Sequence, residues 1–168
     1  MTDEIAQLLR CLRLHRMAEI ADDELRAAEK DDRSYQDFLV RLLRAEWHCK
    51  QETSLGWRIK RAKLPEDWTL ESFPFKRQPG VSAKQIRGFA ELGFLAKNEN
   101  IVFIGPTGVG KTGLASSILR KALQNGHTGI FIRAQDLFDD MYASLADRSS
   151  RKLINRLASV AILVIDSC

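Results

Sequence analysis

Eight consecutive residues in the second half of the chain have the spacing of a phosphate-binding loop. Residues 105–112 match the pattern G-x-x-x-x-G-K-[ST] at every fixed position. Glycines let such a loop aim its backbone amides inward, and the helix that follows adds free amides and a partial positive charge. The pattern predicts that a nucleotide's phosphates bind to Gly105, Pro106, Thr107, Gly108, Val109, Gly110, Lys111 and Thr112.

Three side chains in or near this loop carry the chemistry that a bound nucleotide needs. Lys111 would place a mobile positive charge against the β and γ phosphates and is the candidate catalytic residue. Thr112 offers a hydroxyl to Mg²⁺, and an apolar run over residues 162–165 ends at the carboxylate of Asp166. We predict that Thr112 and Asp166 hold Mg²⁺; capping of a helix is the ordinary alternative for such an aspartate.

Hydrolysis needs one more group, which orients the attacking water. The residue that follows Asp166 is Ser167, and a serine hydroxyl is not a base without help. We therefore expect nucleotide binding with little or no hydrolysis by this chain.

The surrounding sequence predicts the elements that position these residues. Beyond Gly80, helical patterns alternate with short β-branched runs, which is typical of a parallel sheet with crossover helices. We predict strands at 101–104, 130–133 and 161–165, and helices at 82–96, 111–125, 136–146 and 150–158.

The first half predicts helices, because apolar residues recur at intervals of three and four without glycine before Gly56. Ser34 with Asp37, and Ser82 with Gln85, have the spacing of capping boxes at helix starts. Pro65, Pro74 and Pro79 mark a connector whose aromatic residues are expected to anchor packing. These features predict a helical domain at 1–63, a connector at 64–80 and a nucleotide-binding domain at 81–168.

Composition narrows the function classes. The net charge is only +4, but residues 57–97 carry nine basic and four acidic side chains. The basic segment, Arg58, Lys60, Arg61 and Lys63, is either a DNA-facing surface or a solvated helix face.

The three cysteines have no metal-ligand spacing, and no apolar window approaches the roughly 18 residues of a membrane span. We expect a cytoplasmic protein without a membrane partner.

Together these residues resemble the IstB-like helper ATPases of bacterial insertion sequences, which are relatives of the DnaC helicase loaders in the AAA+ group. The segments that carry the resemblance, beside the phosphate loop, are residues 12–19, 34–46 and 68–73. The resemblance covers residues 5–168.

The resemblance implies a fold, a cofactor and partners. The fold would be α/β, a P-loop NTPase of AAA+ type with an incomplete parallel sheet, preceded by a small helical N-terminal domain. Residues 105–112 would hold the phosphates of ATP, Asp166 would be the Mg²⁺ aspartate, and the basic segment would face DNA. The partners would be DNA, a transposase and further copies of the protein, and the function would be that of a helper in DNA transposition.

Two departures from the family pattern qualify this expectation. Similar proteins have a second acidic residue where this chain has Ser167. They also continue past the predicted strand at 161–165, the Walker B strand, with a sensor strand, an arginine finger and a helical part. This chain is therefore expected to be truncated after the Walker B strand. In AAA+ sheets the sensor strand lies between the first and third predicted strands, whose edges would stay unpaired unless they close on each other or another chain fills the gap.

Two other functions remain open at this point. The chain could be a noncatalytic module that binds DNA or a partner and carries a vestigial phosphate loop. It could also be a small kinase, although no lid or acceptor pocket is visible in the sequence.

Overall fold

The computed structural model describes residues 3–78 and 80–167. Pro79, which helped to define the connector, and the cysteine at position 168 lie outside the described residues. The helices are α1 (Asp3–Cys11), α2 (His15–Lys30), α3 (Tyr35–Ala62), α4 (Ala83–Ala90), α5 (Gly93–Ala96), α6 (Lys111–Gln124), α7 (Ala134–Ala146) and α8 (Ser150–Ala158). The strands are β1 (Gly129–Arg133) and β2 (Ile162–Asp166), and a 3₁₀ turn covers Phe75–Arg77.

The chain divides into two compact units between Ser54 and Leu55, within α3. The predicted connector lies further along, at 64–80. The predicted domain ranges, with a helical domain at 1–63, stay a prediction.

The N-terminal unit contains the helices that its apolar periodicity predicts. Ser34 caps α3 as expected, because the Asp37 N–H donates to Ser34 Oγ (3.1 Å) and Ser34 Oγ donates to Asp37 Oδ2 (2.7 Å). A small core forms around Met17, Ala21 and Leu42. The buried Glu46 of α3 accepts a hydrogen bond from the Met17 N–H (2.9 Å), so its carboxylate caps a first-turn amide of α2.

In the C-terminal unit, β1 and β2 pair in parallel, with Gly129 opposite Ile162 and Arg133 opposite Asp166. Helix α6 packs against both strands. Its buried residues Ile118, Leu119, Ala122 and Leu123 form a core with Phe131 and Ile162. Gly126, at a φ of +89°, follows the end of α6, as a left-handed cap requires.

Two sequence predictions about this unit are wrong. Residues 101–104 form no strand. Within the described chain β1 and β2 pair only with each other, so the backbone of residues 101–104 has no ladder partner. A cavity of about 600 Å³ is lined by residues 101–103 and by β2, so the two segments do not close on each other. The predicted helix at 82–96 is also broken, because Leu92 takes a left-handed φ of +63° between α4 and α5.

Candidate functional site

The phosphate loop turns directly into α6. Residues 107–110 form the turn, and Gly108 and Gly110 have φ values of +83° and +88°, where side chains with a Cβ are strained. Gly110 is the N-cap of α6, and no side chain caps the helix there. The first amides of α6 are therefore left for an external acceptor, which is the arrangement that binds anions at helix N-termini.

Lys111 reaches back over the loop. Its Nζ donates to the carbonyl oxygens of Gly105 (3.0 Å) and Pro106 (2.9 Å). These bonds hold the ammonium beside the main chain that would surround a phosphate. A bound polyphosphate would have to compete with two neutral carbonyls, and charged oxygens form the stronger hydrogen bonds to an ammonium.

Thr112 and Asp166 meet although they lie 54 positions apart in the sequence. Thr112 Oγ1 donates to Asp166 Oδ2 at 2.9 Å, which joins the first turn of α6 to the end of β2. A hydroxyl and a carboxylate are oxygen donors of the kind that Mg²⁺ accepts beside water and phosphate oxygens. The chemistry of the donor set fits the predicted metal. Ser167 lies next to this pair and is exposed.

A cavity of about 470 Å³ adjoins these groups. One wall is the loop and the start of α6, from Thr107 to Gly113, and the sheet contributes Phe131, Arg133 and Asp166. The connector supplies the remaining wall through Pro65, Glu66, Trp68, Phe73, Pro74 and Gln78. The sequence predicts that the connector aromatics anchor packing, and it does not predict that they lie beside the loop.

The connector aromatics lie directly on the glycines of the loop region. A Cβ on Gly110 would lie 2.8 Å from the Phe73 ring, and a Cβ on Gly113 would lie 3.4 Å from the Trp68 ring. Phe73 is buried and packs edge-on against Phe75. An ion pair between Asp67 and Arg120 of α6 (2.7 Å) also ties the connector to the helix. The loop is thus supported from the connector side.

Arg133 is a further cavity residue that the sequence patterns do not reveal. It ends β1, opposite Asp166, and its side chain lines the cavity beside the loop. The alternation of side chains along β1 and β2 could have indicated Arg133. When the two strands are aligned in parallel, Arg133 and Asp166 occupy equivalent positions on the same face.

The predicted DNA-facing residues do not share one environment. Arg58 Nε donates to the carbonyl oxygen of Leu123 at the end of α6 (2.9 Å), so this side chain has a structural contact. The Lys60 ammonium lies over the Trp57 ring, 5.8 Å from its centroid, and Arg61 is exposed. Lys63 lines an adjoining cavity of about 430 Å³.

No helix in the described ranges, 3–78 and 80–167, is long and apolar enough to cross a membrane.

Comparison with known proteins gives a consistent match. A family model described as "IstB-like ATP binding protein" matches residues 7–168. A protein of insertion sequence IS21 from Pseudomonas aeruginosa, named for ATP binding, is 31% identical over 97% of this chain and 62% of its own length. A similarly named protein of IS5376 from Geobacillus stearothermophilus is 38% identical over 93% of this chain and 63% of its own length.

The match to a third relative covers a larger share of that protein's length. The IS21-like protein of Bacteroides fragilis strain YCH46, also named for ATP binding, is 29% identical over 97% of this chain and 82% of its own length. The chain spans about three fifths of the length of the first two relatives.

Proposed function

Because the chain belongs to the IstB-like ATP-binding protein family of insertion sequences, we propose that it binds ATP with Mg²⁺ at residues 105–112 and Asp166. The observation that carries the proposal is the meeting of Thr112 and Asp166 at 2.9 Å beside the uncapped start of α6. This arrangement supplies backbone amides, a lysine and two oxygen donors suited to a metal around one cavity.

Each group has a defined part in binding. The first amides of α6 and the loop amides would donate to the phosphate oxygens, and Lys111 would exchange its bonds to Gly105 and Pro106 for bonds to the phosphates. Thr112 and Asp166 would hold Mg²⁺, which neutralises charge on the phosphates when bound. Phe73 and Trp68 keep the loop in place by packing on Gly110 and Gly113.

The chain is proposed to bind ATP without appreciable hydrolysis. Ser167 stands beside the Mg²⁺ aspartate, where it cannot serve as a base at neutral pH. Measurable ATP turnover that disappears in Asp166→Ala would contradict this part of the proposal.

In the cell, the proposed role is that of an ATP-dependent helper in DNA transposition, which works in the cytoplasm with a transposase, DNA and further copies of the full-length protein. The proposed fold is of the AAA+ type, with the phosphate loop at the start of α6 and the Mg²⁺ aspartate at the end of β2. Family membership supports this role, and the relatives' names mention ATP and insertion sequences.

The test of ATP binding is a thermal-shift series with a non-hydrolysable ATP analogue and Mg²⁺. A ligand at about 100 times its dissociation constant stabilises the folded state by about 2.7 kcal/mol, so the melting temperature of the parent protein should rise by several degrees. Lys111→Ala should abolish this rise. Lys121→Ala, which removes an exposed lysine from the same helix, is the matched control and should keep it. No shift in the parent protein would contradict the proposal.

A DNA-binding function without nucleotide dependence is the second candidate, and the exposed Lys60 and Arg61 on α3 favour it. DNA retention on filters should then fall steeply with salt, because phosphate contacts release counterions. The double variant Lys60→Gln with Arg61→Gln should weaken retention, and Arg58→Gln should mainly lower stability through its lost bond to Leu123. Strict dependence of retention on ATP would count against this candidate.

A further inference from the structure

The last residue of β1 faces the start of α6. Side chains alternate along a strand, so Gly129, Phe131 and Arg133 share one face. A Cβ on Gly129 would lie 2.3 Å from Leu119 of α6, and Phe131 belongs to the same core as Leu119. This face of β1 is therefore the face that α6 covers, and Arg133 belongs to it.

Element lengths place Arg133 level with the phosphate loop. The four steps from Gly129 to Arg133 span roughly 13 Å of strand. The eight residues from Leu119 back to Lys111 span roughly 12 Å of helix. Because Gly129 is in contact with Leu119, Arg133 reaches the level of Lys111, which agrees with the cavity that both residues line.

The register of the sheet puts Arg133 beside the proposed metal pair. Arg133 is the partner of Asp166 in the parallel ladder. Neighbouring strands lie roughly 4.8 Å apart, and paired residues point to the same face. The Asp166 carboxylate accepts the hydroxyl of Thr112, so the arginine is one strand spacing away from this hydrogen bond.

Between residues 3 and 78 and between 80 and 167, nothing forms an ion pair or hydrogen bond with the guanidinium of Arg133. The acidic residues Asp136, Asp139 and Asp140 line the adjoining cavity of about 430 Å³, which Arg133 also lines, yet none of them is paired with it. Lys111, in contrast, has two carbonyl partners. An arginine with its donors available beside a phosphate loop can bind phosphate with two parallel hydrogen bonds.

We propose that Arg133 is a second cation for the bound nucleotide and donates to the terminal phosphate of a nucleoside triphosphate. This inference rests on the proposed ATP site. Arg133 lies on the side of the cavity where Asp166 would hold Mg²⁺ beside the phosphates, and the terminal phosphate is the group we expect there. A nucleoside diphosphate lacks the group that Arg133 contacts, so Arg133 makes the site selective for the triphosphate.

The test compares Arg133→Gln with Arg156→Gln by isothermal titration calorimetry, in the full chain with Mg²⁺. Arg156 is exposed and lines the adjoining cavity but not the cavity of the phosphate loop. Its variant changes the net charge by the same amount as Arg133→Gln and is therefore the matched control. Arg133→Gln should weaken binding of a non-hydrolysable ATP analogue about tenfold or more, as expected for a lost charge-assisted hydrogen bond. ADP binding should change no more than it does in Arg156→Gln, and Arg133→Lys should recover part of the ATP affinity.

The outcomes separate this inference from the proposed function. Equal affinities of Arg133→Gln and Arg156→Gln for the ATP analogue, with normal binding by the parent protein, would overturn the role of Arg133 alone. Equal losses for ATP and ADP in Arg133→Gln would overturn its selectivity for the terminal phosphate. Absence of binding by the parent protein would overturn the ATP site itself.

Discussion

The two flanks of the phosphate loop differ sharply in burial. The flank that follows the loop is α6, where Leu119, Ala122 and Leu123 are completely buried. The flank that precedes it, residues 101–104, has no regular structure, and Val102 and Ile104 are 75% and 92% exposed. A phosphate loop between a strand and a helix is ordinarily held from both ends; in this chain the helix end is far better packed.

The difference shows which elements hold the loop. Helix α6 is fixed by its core contacts with β1 and β2. The connector adds contacts of Phe73 and Trp68 to the glycines at the start of the helix. The preceding segment contributes Phe103 to the neighbouring cores. Loop geometry should therefore depend strongly on α6, moderately on the connector and weakly on the exposed residues at 101–104.

The largest effect is expected from Leu119→Ala, which removes a completely buried side chain of α6. Large-to-small changes in a packed core cost about 2–5 kcal/mol, and this side chain also fills the space above Gly129. Urea unfolding followed by circular dichroism should show a loss of about 3 kcal/mol in the free energy of unfolding. A loss below about 1 kcal/mol would mean that α6 is not the better anchored flank.

A smaller loss is expected from Gly110→Ala. The φ of +88° strains any residue with a Cβ, and the new methyl group would lie 2.8 Å from the Phe73 ring. We expect destabilisation of about 2 kcal/mol together with weaker nucleotide binding.

The double variant Gly110→Ala with Phe73→Leu tests the role of the connector. The shorter side chain removes the contact but leaves the backbone strain, so the two changes should couple favourably by about 0.5–1 kcal/mol in a double-mutant cycle. Strict additivity would show that Phe73 does not press on Gly110 in solution.

Thr112→Val is expected to act on the metal rather than on the fold. The change removes the hydroxyl that bonds to Asp166 and keeps the shape of the side chain. The stabilisation by an ATP analogue should lose its dependence on Mg²⁺, with a cost of about 1–1.5 kcal/mol in binding. Ser117→Ala, which removes a hydroxyl bonded only within α6 to Gly113, is the control and should keep the Mg²⁺ dependence.

Much of this arrangement could be predicted from local sequence patterns. The helices of the first half, the Ser34 cap, α6 and both strands of the sheet follow from periodicity and from capping residues within a few positions. The sequence also predicts that Thr112 and Asp166 serve one Mg²⁺, and the two side chains are hydrogen-bonded to each other in the structure. Such features depend on residues close in sequence or on a known register.

The sequence could not predict the features that depend on distant partners. The apolar run at 101–104 has the composition of a buried strand, but a strand needs a ladder partner, and none is present within the described residues. The break at Leu92 and the contact of Phe73 with Gly110 depend on tertiary packing. The bond of Arg58 to Leu123 also joins residues 65 positions apart.

The smallest effect is expected from Ile104→Ala, immediately before the loop. At 92% exposure the isoleucine side chain gives up almost no contact with water on folding, so its removal should change the free energy of unfolding by less than about 0.5 kcal/mol. Nucleotide affinity should also stay within about twofold of the parent protein. Because the same change in a buried strand would cost about 2–5 kcal/mol, this variant decides whether the segment before the loop is as uncovered in solution as it is in the structure. A cost that grows with protein concentration would show that another copy of the chain covers it.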